Sequence, residues 1–466
     1  MEKRRPKRDD VLEFTVQSLD ARGNAVGEFE EHRVQLRGVA PGARVRARVR
    51  KRRRNKVDAI LLEVLESGPD QVTPRCAHFG TCGGCSFQHI DYQAQLRLLG
   101  ETLGELLVPL GSPEVQPVLG AKQPWNYRNK MDFTFGNKRW IEAGEPENAP
   151  NGFALGLHVP GRFDKILSVE RCDIAFAEAN PILNSARSLA LELGLDAWDV
   201  REHQGLLRHL VLRKGFRTGE IMVDLVTTEL GTERLAPFVE QLLARHPEVS
   251  TLVQRVNAGV ALIARGEEHV LHGPGVIHEE LAGLSFRISP PSFFQTNTAQ
   301  AEELVRIVKE RALVGEGTRV FDLYCGSGLF SLALARQGAR VTGYELVQAA
   351  IDDAWLNAKR NDISNVEFVA GDLVQTLDLE TLGSDLPEVC VVDPPRAGLH
   401  AKVLAVLRAL GPRRIVYVSC NPKSAVQDLE TLLEQDYRML HVEPVDLFPH
   451  TPHLECVFTL ERHNSV

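Results

Sequence analysis

The chain has 466 residues, of which 43% are hydrophobic and 25% charged, an ordinary globular usage that excludes wholesale disorder, a collagen-like repeat and a coiled coil. At roughly 150 residues per domain the length points to about three domains, and no apolar run approaches a membrane span. The formal charge of −8 argues against a polyanionic partner until its distribution is read: residues 1–68 hold 17 Lys+Arg against 11 Asp+Glu, a net of +6, and residues 69–466 hold 37 against 51, a net of −14. Such asymmetry is a hint of nucleic-acid or membrane contact. The start is basic without an apolar segment behind it, unlike a secretory signal, and eight cysteines are too few for a disulfide scaffold. A reducing cytosol is the expected location, where clustered cysteines more often bind metal or do chemistry than pair.

In chain order, residues 8–68 read as short strands over 11–19, 34–36, 45–50 and 57–65, separated by the turn signals Gly23-Asn24, Gly27 and Pro41-Gly42. The pattern predicts a small β-barrel. In Arg44-Val-Arg-Ala-Arg-Val-Arg, basic and apolar residues alternate at period two, so one strand face goes to a core and the other displays guanidinium groups. Nine basic residues and no acidic one lie between Arg44 and Lys56. That suits a phosphate-tracking surface, and it also suits a solvated edge strand protected from aggregation by its charges. Small barrels of this kind are frequent single-strand binders.

Residues 69–290 read as a central α+β domain. It opens on a cysteine cluster and a helix over 92–107, then mixes strands over 130–135, 206–213, 221–226 and 251–256 with helices over 182–193 and 235–244. From Thr298 the pattern changes to alternation. Helices over 298–312, 329–337, 348–360 and 400–409 interleave with strands over 318–324, 339–345, 366–370, 388–393 and 413–419. This implies an α/β domain over 291–466 with a parallel sheet and crossover helices.

Within it, Thr318-Arg-Val-Phe-Asp-Leu-Tyr-Cys-Gly-Ser-Gly-Leu-Phe is an apolar strand running into a glycine turn that opens a helix. Gly326 and Gly328 let the backbone turn sharply and approach a ligand. Glu345 ends the next strand, 19 positions after Gly326, about where a carboxylate takes ribose hydroxyls. Asp372 ends the third strand, near an adenine position. Three strand-end features in register point to a nucleoside cofactor. The fourth strand carries Val391-Val-Asp-Pro-Pro-Arg, and Asp-Pro-Pro at a strand's carboxyl end resembles the signature of S-adenosylmethionine (SAM) methyltransferases that act on nucleobases.

The fifth strand ends in Cys420-Asn421-Pro422, so its thiol faces the same crevice, whereas Cys390 lies inside strand four and reads as inert core. Uracil C5 is too weak a nucleophile to take a methyl group directly. A thiolate must first add to C6, and a base must afterwards remove the C5 proton. The scheme needs a low-pKa cysteine and a nearby carboxylate. Glu455, set between Leu454 and Cys456-Val-Phe in an apolar strand, supplies the carboxylate.

These residues resemble the RNA uracil-5-methyltransferase family, specifically its bacterial 23S rRNA branch with an N-terminal TRAM domain and an iron-sulfur cluster. The likeness covers nearly the whole chain. It implies a multidomain protein in which residues 8–68 are an OB-like TRAM barrel that binds RNA, 69–290 an α+β domain with an iron-sulfur site, and 291–466 a Rossmann-like SAM methyltransferase domain. Ser289-Pro-Pro-Ser-Phe-Phe-Gln-Thr-Asn297 matches the family's signature ahead of the first methyltransferase helix, implying that Gln295 contacts SAM. Read without the family, it is a Pro-bounded loop with Asn297 and Gln300 as a capping box. The other implied cofactor contacts are Tyr324, Glu345, Asp372 and Asp393, with Cys420 as nucleophile and Glu455 as proton acceptor. Leu329 departs from the pattern, since many members have Asn there.

Cys76-x5-Cys82-Gly-Gly-Cys85, followed 87 positions later by Cys172, offers four thiolates that satisfy either a cubane or a tetrahedral Zn site. The resemblance implies a 4Fe-4S cluster. Methyl transfer needs no electrons, so the expected cluster is structural. The implied partner is RNA, most specifically 23S rRNA, with no membrane and no obligate protein partner.

Three alternatives stay open: a tRNA substrate, an RNA cytosine-5 methyltransferase, and an RNA-binding factor without catalysis. The cytosine enzymes typically carry a further cysteine after the strand-four proline, where this chain has Arg396. Cys325, Cys390 and Cys456 receive no role.

Overall fold

The computed structural model describes residues 5–463 except 21, 143, 147, 262–263, 378–384 and 435. Strands β1 (Val11–Leu19), β2 (Ala25–Phe29), β3 (His32–Leu36), β4 (Arg44–Arg53) and β5 (Lys56–Glu66) close into a barrel in the order β1-β2-β3-β5-β4. The period-two alternation of β4 drives this closure. Val45, Ala47 and Val49 are fully buried beside Leu12, Val34 and Val57, while Arg44, Arg48 and Arg50 are exposed. The sequence pattern misses β2 because Gly27 reads as a turn. In the structure Gly27 sits within the strand, and a Cβ there would lie 2.5 Å from both the Phe14 ring and the Thr15 carbonyl. The glycine serves close packing, not reversal.

The basic strand is not the uniform phosphate track that its composition suggests. Arg44 pairs with Glu13 and Glu66, and Arg46 with Glu13 and Glu63, because β1 and β5 flank β4 and bring their glutamates to its outer face. The exposed cationic charge is therefore concentrated at the β4–β5 hairpin, where residues 50–54 and Lys56 are all exposed.

The central part begins with α1 (Tyr92–Leu106), whose first turn is closed by Asp91 accepting the N–H groups of Gln93 and Ala94. It continues through β6 (Lys130–Gly136), β7 (Ala154–His158), β8 (Ile166–Ser168), α2 (Ala179–Glu192), β9 (Leu207–Lys214), β10 (Ile221–Thr227), α3 (Thr232–Arg245), β11 (Val249–Val256) and β12 (Glu267–His272). The strands form a seven-stranded sheet ordered β12-β11-β10-β9-β6-β7-β8. Ile182, Leu183, Ala186, Leu235, Phe238 and Leu242 of α2 and α3 pack with its inner strands. Strands β7, β8 and β12 escape the sequence pattern because they are short or, in β12, polar and at the sheet edge. A hairpin of β13 (Ile277–Leu281) and β14 (Leu284–Ile288) follows.

The remaining chain is α4 (Thr298–Ala312), β15 (Arg319–Leu323), α5 (Leu329–Ala335), β16 (Arg340–Glu345), α6 (Gln348–Arg360), β17 (Val366–Ala370), α7 (Leu373–Thr376), β18 (Val389–Val392), α8 (Ala401–Leu410), β19 (Arg414–Ser419), α9 (Pro422–Leu433), β20 (Tyr437–Val445) and β21 (Glu455–Arg462), of which the pattern misses α7, α9 and β20. The sheet order is β17-β16-β15-β18-β19-β21-β20. The first five strands are parallel, β21 runs antiparallel to β19, and β20 runs antiparallel to β21. The order reverses direction between β15 and β18, and a doubly wound sheet opens its ligand crevice at that point, outside the carboxyl ends of the strands. Among the described residues no helix is long and apolar enough to cross a membrane.

Candidate active site

The crevice floor is the turn after β15. Tyr324, Gly326 and Gly328 all have positive φ, at 66°, 54° and 88°. The chain there coils through the left-handed region, which glycine enters freely and tyrosine does not. At Gly328, which caps α5, a Cβ would also meet the Phe368 ring at 3.1 Å. Glu345, at the end of β16, accepts the N–H of Gly326 at 3.3 Å and that of Val347 at 2.9 Å. One carboxylate thus ties the glycine turn to the next strand's exit.

Asp372 caps α7 by accepting the Val374 N–H at 2.8 Å, a local structural role in addition to the one expected of it. Asp393, just past β18, donates its N–H to the Leu323 carbonyl at 3.2 Å. Burial and the neighbouring Asp322 push its carboxyl far up from the usual range. Leu329 packs against the apolar core, so no polar side chain reaches the crevice from that position.

The expected nucleophile and base come together through strand register. In the β19–β21 ladder Ser419 pairs with Cys456, which sets Cys420, one residue beyond that rung, beside Glu455, one residue before it. Glu455 is 4% exposed. Burial and Asp393 drive its carboxyl well up, with Arg396 opposing. Cys420 is half-buried, whereas Cys325, Cys390 and Cys456 are buried.

One expectation needs correction. The chemistry calls for a low-pKa thiol, but the Cys420 thiol is raised from its ordinary value, first by burial and then by Glu455 and Asp393, with Arg396 pulling the other way. The neighbouring carboxyls discourage the thiolate.

Arg396, which sequence reasoning used only as a discriminator, lowers both the Cys420 thiol and the Glu455 carboxyl. It follows Asp393-Pro394-Pro395, and its carbonyl accepts from Asn421 Nδ2 at 2.8 Å and Ser424 Oγ at 3.1 Å. Asn421, the residue after Cys420, thereby holds the Arg396 backbone in place. Arg as the first residue past the Asp-Pro-Pro turn was the available signal.

The loop carrying Gln295 is fastened by the central sheet. Asn129 Nδ2 donates to the Gln295 carbonyl at 2.8 Å and lies 3.1 Å from Thr298 Oγ1, and the Asn129 N–H donates to the Thr296 carbonyl. Buried Arg213 donates to the carbonyls of Ser289 and Ser292. Neither residue carries a sequence signal, since each acts on a partner far along the chain. The capping box is one-sided. Asn297 accepts the Gln300 N–H at 3.3 Å, but the Gln300 side chain donates to the carbonyls of Leu119 and Asp446.

Away from this crevice, Cys76, Cys82, Cys85 and Cys172 line a single cavity of about 200 Å³ together with His78, Phe79, Met131, Leu157 and Ile174. Burial raises all four thiols, those of Cys82 and Cys85 to about 11 and about 12. Four thiols in an apolar cavity ionise together only when a cationic group neutralises them. Among the described residues no three His, Cys, Asp or Glu side chains converge as ligands of one metal ion.

Residues 245–463 match the family described as tRNA (Uracil-5-)-methyltransferase. Across the whole length, an uncharacterized RNA methyltransferase of Chlorobaculum tepidum is 39% identical over 98% of this chain and 98% of its own. The chain belongs to the RNA uracil-5-methyltransferase family. A second uncharacterized RNA methyltransferase of the kind, from Bacteroides thetaiotaomicron, is 36% identical over 95% of this chain and 100% of its own. Among solved structures, the Pyrococcus abyssi tRNA (uracil-54, C5)-methyltransferase in complex with S-adenosyl-L-homocysteine superposes with a TM-score of 0.76 at 27% identity, covering 96% of this chain and 100% of that one.

For this uracil-5-methyltransferase family member, the Arg396 contact has a direct readout. Arg396→Gln is expected to move alkylation of Cys420 by iodoacetamide to higher pH, about tenfold slower at pH 8 for each unit the thiol rises, followed peptide by peptide by mass spectrometry. An unchanged profile would show that the guanidinium does not act on the thiol.

Proposed function

We propose that the protein transfers a methyl group from SAM to C5 of a uridine in 23S rRNA, with Cys420 as nucleophile and Glu455 as proton acceptor. The observation that carries this reading is the β19–β21 register, which sets a half-buried thiol beside a buried carboxyl at the carboxyl edge of the sheet. Cys420 Sγ adds to C6, which makes C5 nucleophilic. SAM supplies the methyl group that C5 takes. Glu455 then removes the C5 proton, and the Sγ–C6 bond breaks to regenerate the ring's double bond. A carboxyl raised by burial is a stronger base than one in water, and Arg396 favours the ionised form of both reacting groups.

On the cofactor side, Glu345 is oriented by two backbone N–H groups for ribose hydroxyls, and Gln295, Tyr324, Asp372 and Asp393 complete the SAM contacts. The domain assignment follows the same reading: 8–68 as the TRAM barrel, 69–290 as the iron-sulfur domain and 291–466 as the methyltransferase. A cytoplasmic setting fits all three.

Cys76, Cys82, Cys85 and Cys172 fit a 4Fe-4S cluster. Ligands of a cubane each take a different iron and do not converge on one point, whereas tetrahedral zinc requires convergence. The combination of barrel and cluster supports 23S rRNA as the substrate. A tRNA substrate is the second reading, favoured by the full-length likeness to the Pyrococcus abyssi enzyme.

Release of tritium from uracil-5-labelled 23S rRNA and tRNA, side by side, tests the reaction and its substrate together. Cys420→Ala is expected to abolish turnover and covalent RNA adduct, and Glu455→Gln to accumulate the adduct. An adduct formed by the Cys420→Ala protein would exclude this nucleophile. Anaerobically purified protein is expected to contain about four iron and four sulfide per chain, and stoichiometric zinc without iron would remove the cluster. Arg52→Ala, Arg53→Ala and Arg54→Ala combined are expected to flatten the dependence of log K for RNA on log salt by about 2, at roughly 0.7 per phosphate contact on a single strand, with SAM binding unchanged.

A further inference from the structure

Residues 446–454 deliver Glu455 to the crevice, and this loop is held mainly by chain segments from elsewhere. The Asn297 side chain donates to the Leu447 carbonyl at 3.1 Å, and Tyr127 Oη to the Pro449 carbonyl at 3.2 Å. Tyr92 Oη donates to Asp446 Oδ2 at 2.7 Å. The densest set of contacts falls on His450. Its carbonyl accepts the N–H groups of Ser86 at 2.9 Å and Phe87 at 3.0 Å, the two residues directly after Cys85. Its Nδ1 lies 3.2 Å from Gln95 Nε2, an amide that also donates to the carbonyls of Phe87 and Ile90. Its ring stacks on Trp125 with centroids 3.8 Å apart and planes 28° from parallel. The residue is 3% exposed, and its φ is +68°.

A non-glycine residue in the left-handed region persists only where its surroundings over-determine it. Here the surroundings are the segment that follows the cysteine cluster. We propose that His450 is a positioning residue that latches the 446–454 loop to residues 86–95 and Trp125 and so sets Glu455 against the uracil C5 proton. The proposal rests on the reading of Glu455 as proton acceptor. It also gives the cysteine segment a defined effect on the reaction. Whatever orders Cys85 orders Ser86 and Phe87, and through them the loop that ends in the base.

The test compares His450→Ala and His450→Asn with Glu455→Gln in the full-length protein, using SAM and the RNA that the wild type methylates. In His450→Ala, kcat is expected to fall by about tenfold or more with KM for SAM unchanged, and covalent protein–RNA adduct on a denaturing gel is expected to rise above wild type, because proton removal is delayed after methyl transfer. His450→Asn keeps a polar side chain toward Gln95 and tolerates left-handed backbone, so it is expected to recover most of the turnover and lose the excess adduct. If His450→Ala loses adduct and turnover in equal proportion, or matches wild type, the proposal is overturned and His450 only supports the fold. If Glu455→Gln itself traps no adduct, the assignment of the base fails, whereas trapping by Glu455→Gln without trapping by His450→Ala removes the positioning role alone.

Discussion

One antiparallel rung, Ser419 opposite Cys456, organises the reactive end of this protein. A parallel sheet by itself places side chains at the carboxyl ends of its strands, each separated from the next by a crossover helix. Turning β21 antiparallel against β19 brings the start of one strand to the end of another, so that a thiol and a carboxyl from positions 35 apart in sequence stand side by side. A one-residue slip in that register would send both side chains to opposite faces. Strict apolar burial holds it in place, because Val416, Tyr417, Val418, Cys456, Val457 and Phe458 are all fully covered.

That placement has an electrostatic consequence. Asp393, Glu455 and Cys420 are each pushed toward the neutral form first by burial, and then Asp393 by Asp322, Glu455 by Asp393, and Cys420 by Glu455 and Asp393. Burial without compensation disfavours the charged form of each of these groups. Arg396 is the opposing influence on two of the three, and its backbone is fixed by Asn421 and Ser424, just after Cys420. Reactivity in such a site depends on a cation held at the right place more than on any group's ordinary pKa.

The 289–297 and 446–454 loops do not support themselves. Asn129 and Arg213 of the central part hold the 289–297 loop by its carbonyls, and Tyr92, Tyr127, Gln95 and Ser86 hold the 446–454 loop. Backbone carbonyls of irregular loops need partners when buried, and here those partners come from the segment between the barrel and the methyltransferase sheet. The same segment carries the cysteine cavity. This arrangement ties the cysteine-bearing part of the chain to the loop that ends in Glu455.

The glycine turn, the alternation of helix and strand, the Asp-Pro-Pro strand end and the four-cysteine spacing were all legible in the linear sequence, because each is a local pattern of backbone freedom or period. Glu345, Cys420 and Glu455 could be picked out for the same reason, as residues at the ends of readable strands. Other features were not legible. Strand β2 was hidden by a glycine that serves packing, and the guanidinium groups of Arg44 and Arg46 were neutralised by glutamates on two other strands. The raised Cys420 thiol, the Arg396 contact, the Asn129 and Arg213 clamps and the left-handed turn at His450 all depend on partners brought from elsewhere in the chain, such as Gln95, 355 positions from His450. The sequence by itself determined which elements form and which side chains end them, since those follow from preferences acting over a few residues. Which groups share a dry pocket, and therefore their charge and reactivity, was decided by the tertiary structure, because desolvation and Coulomb interaction depend on distance in space.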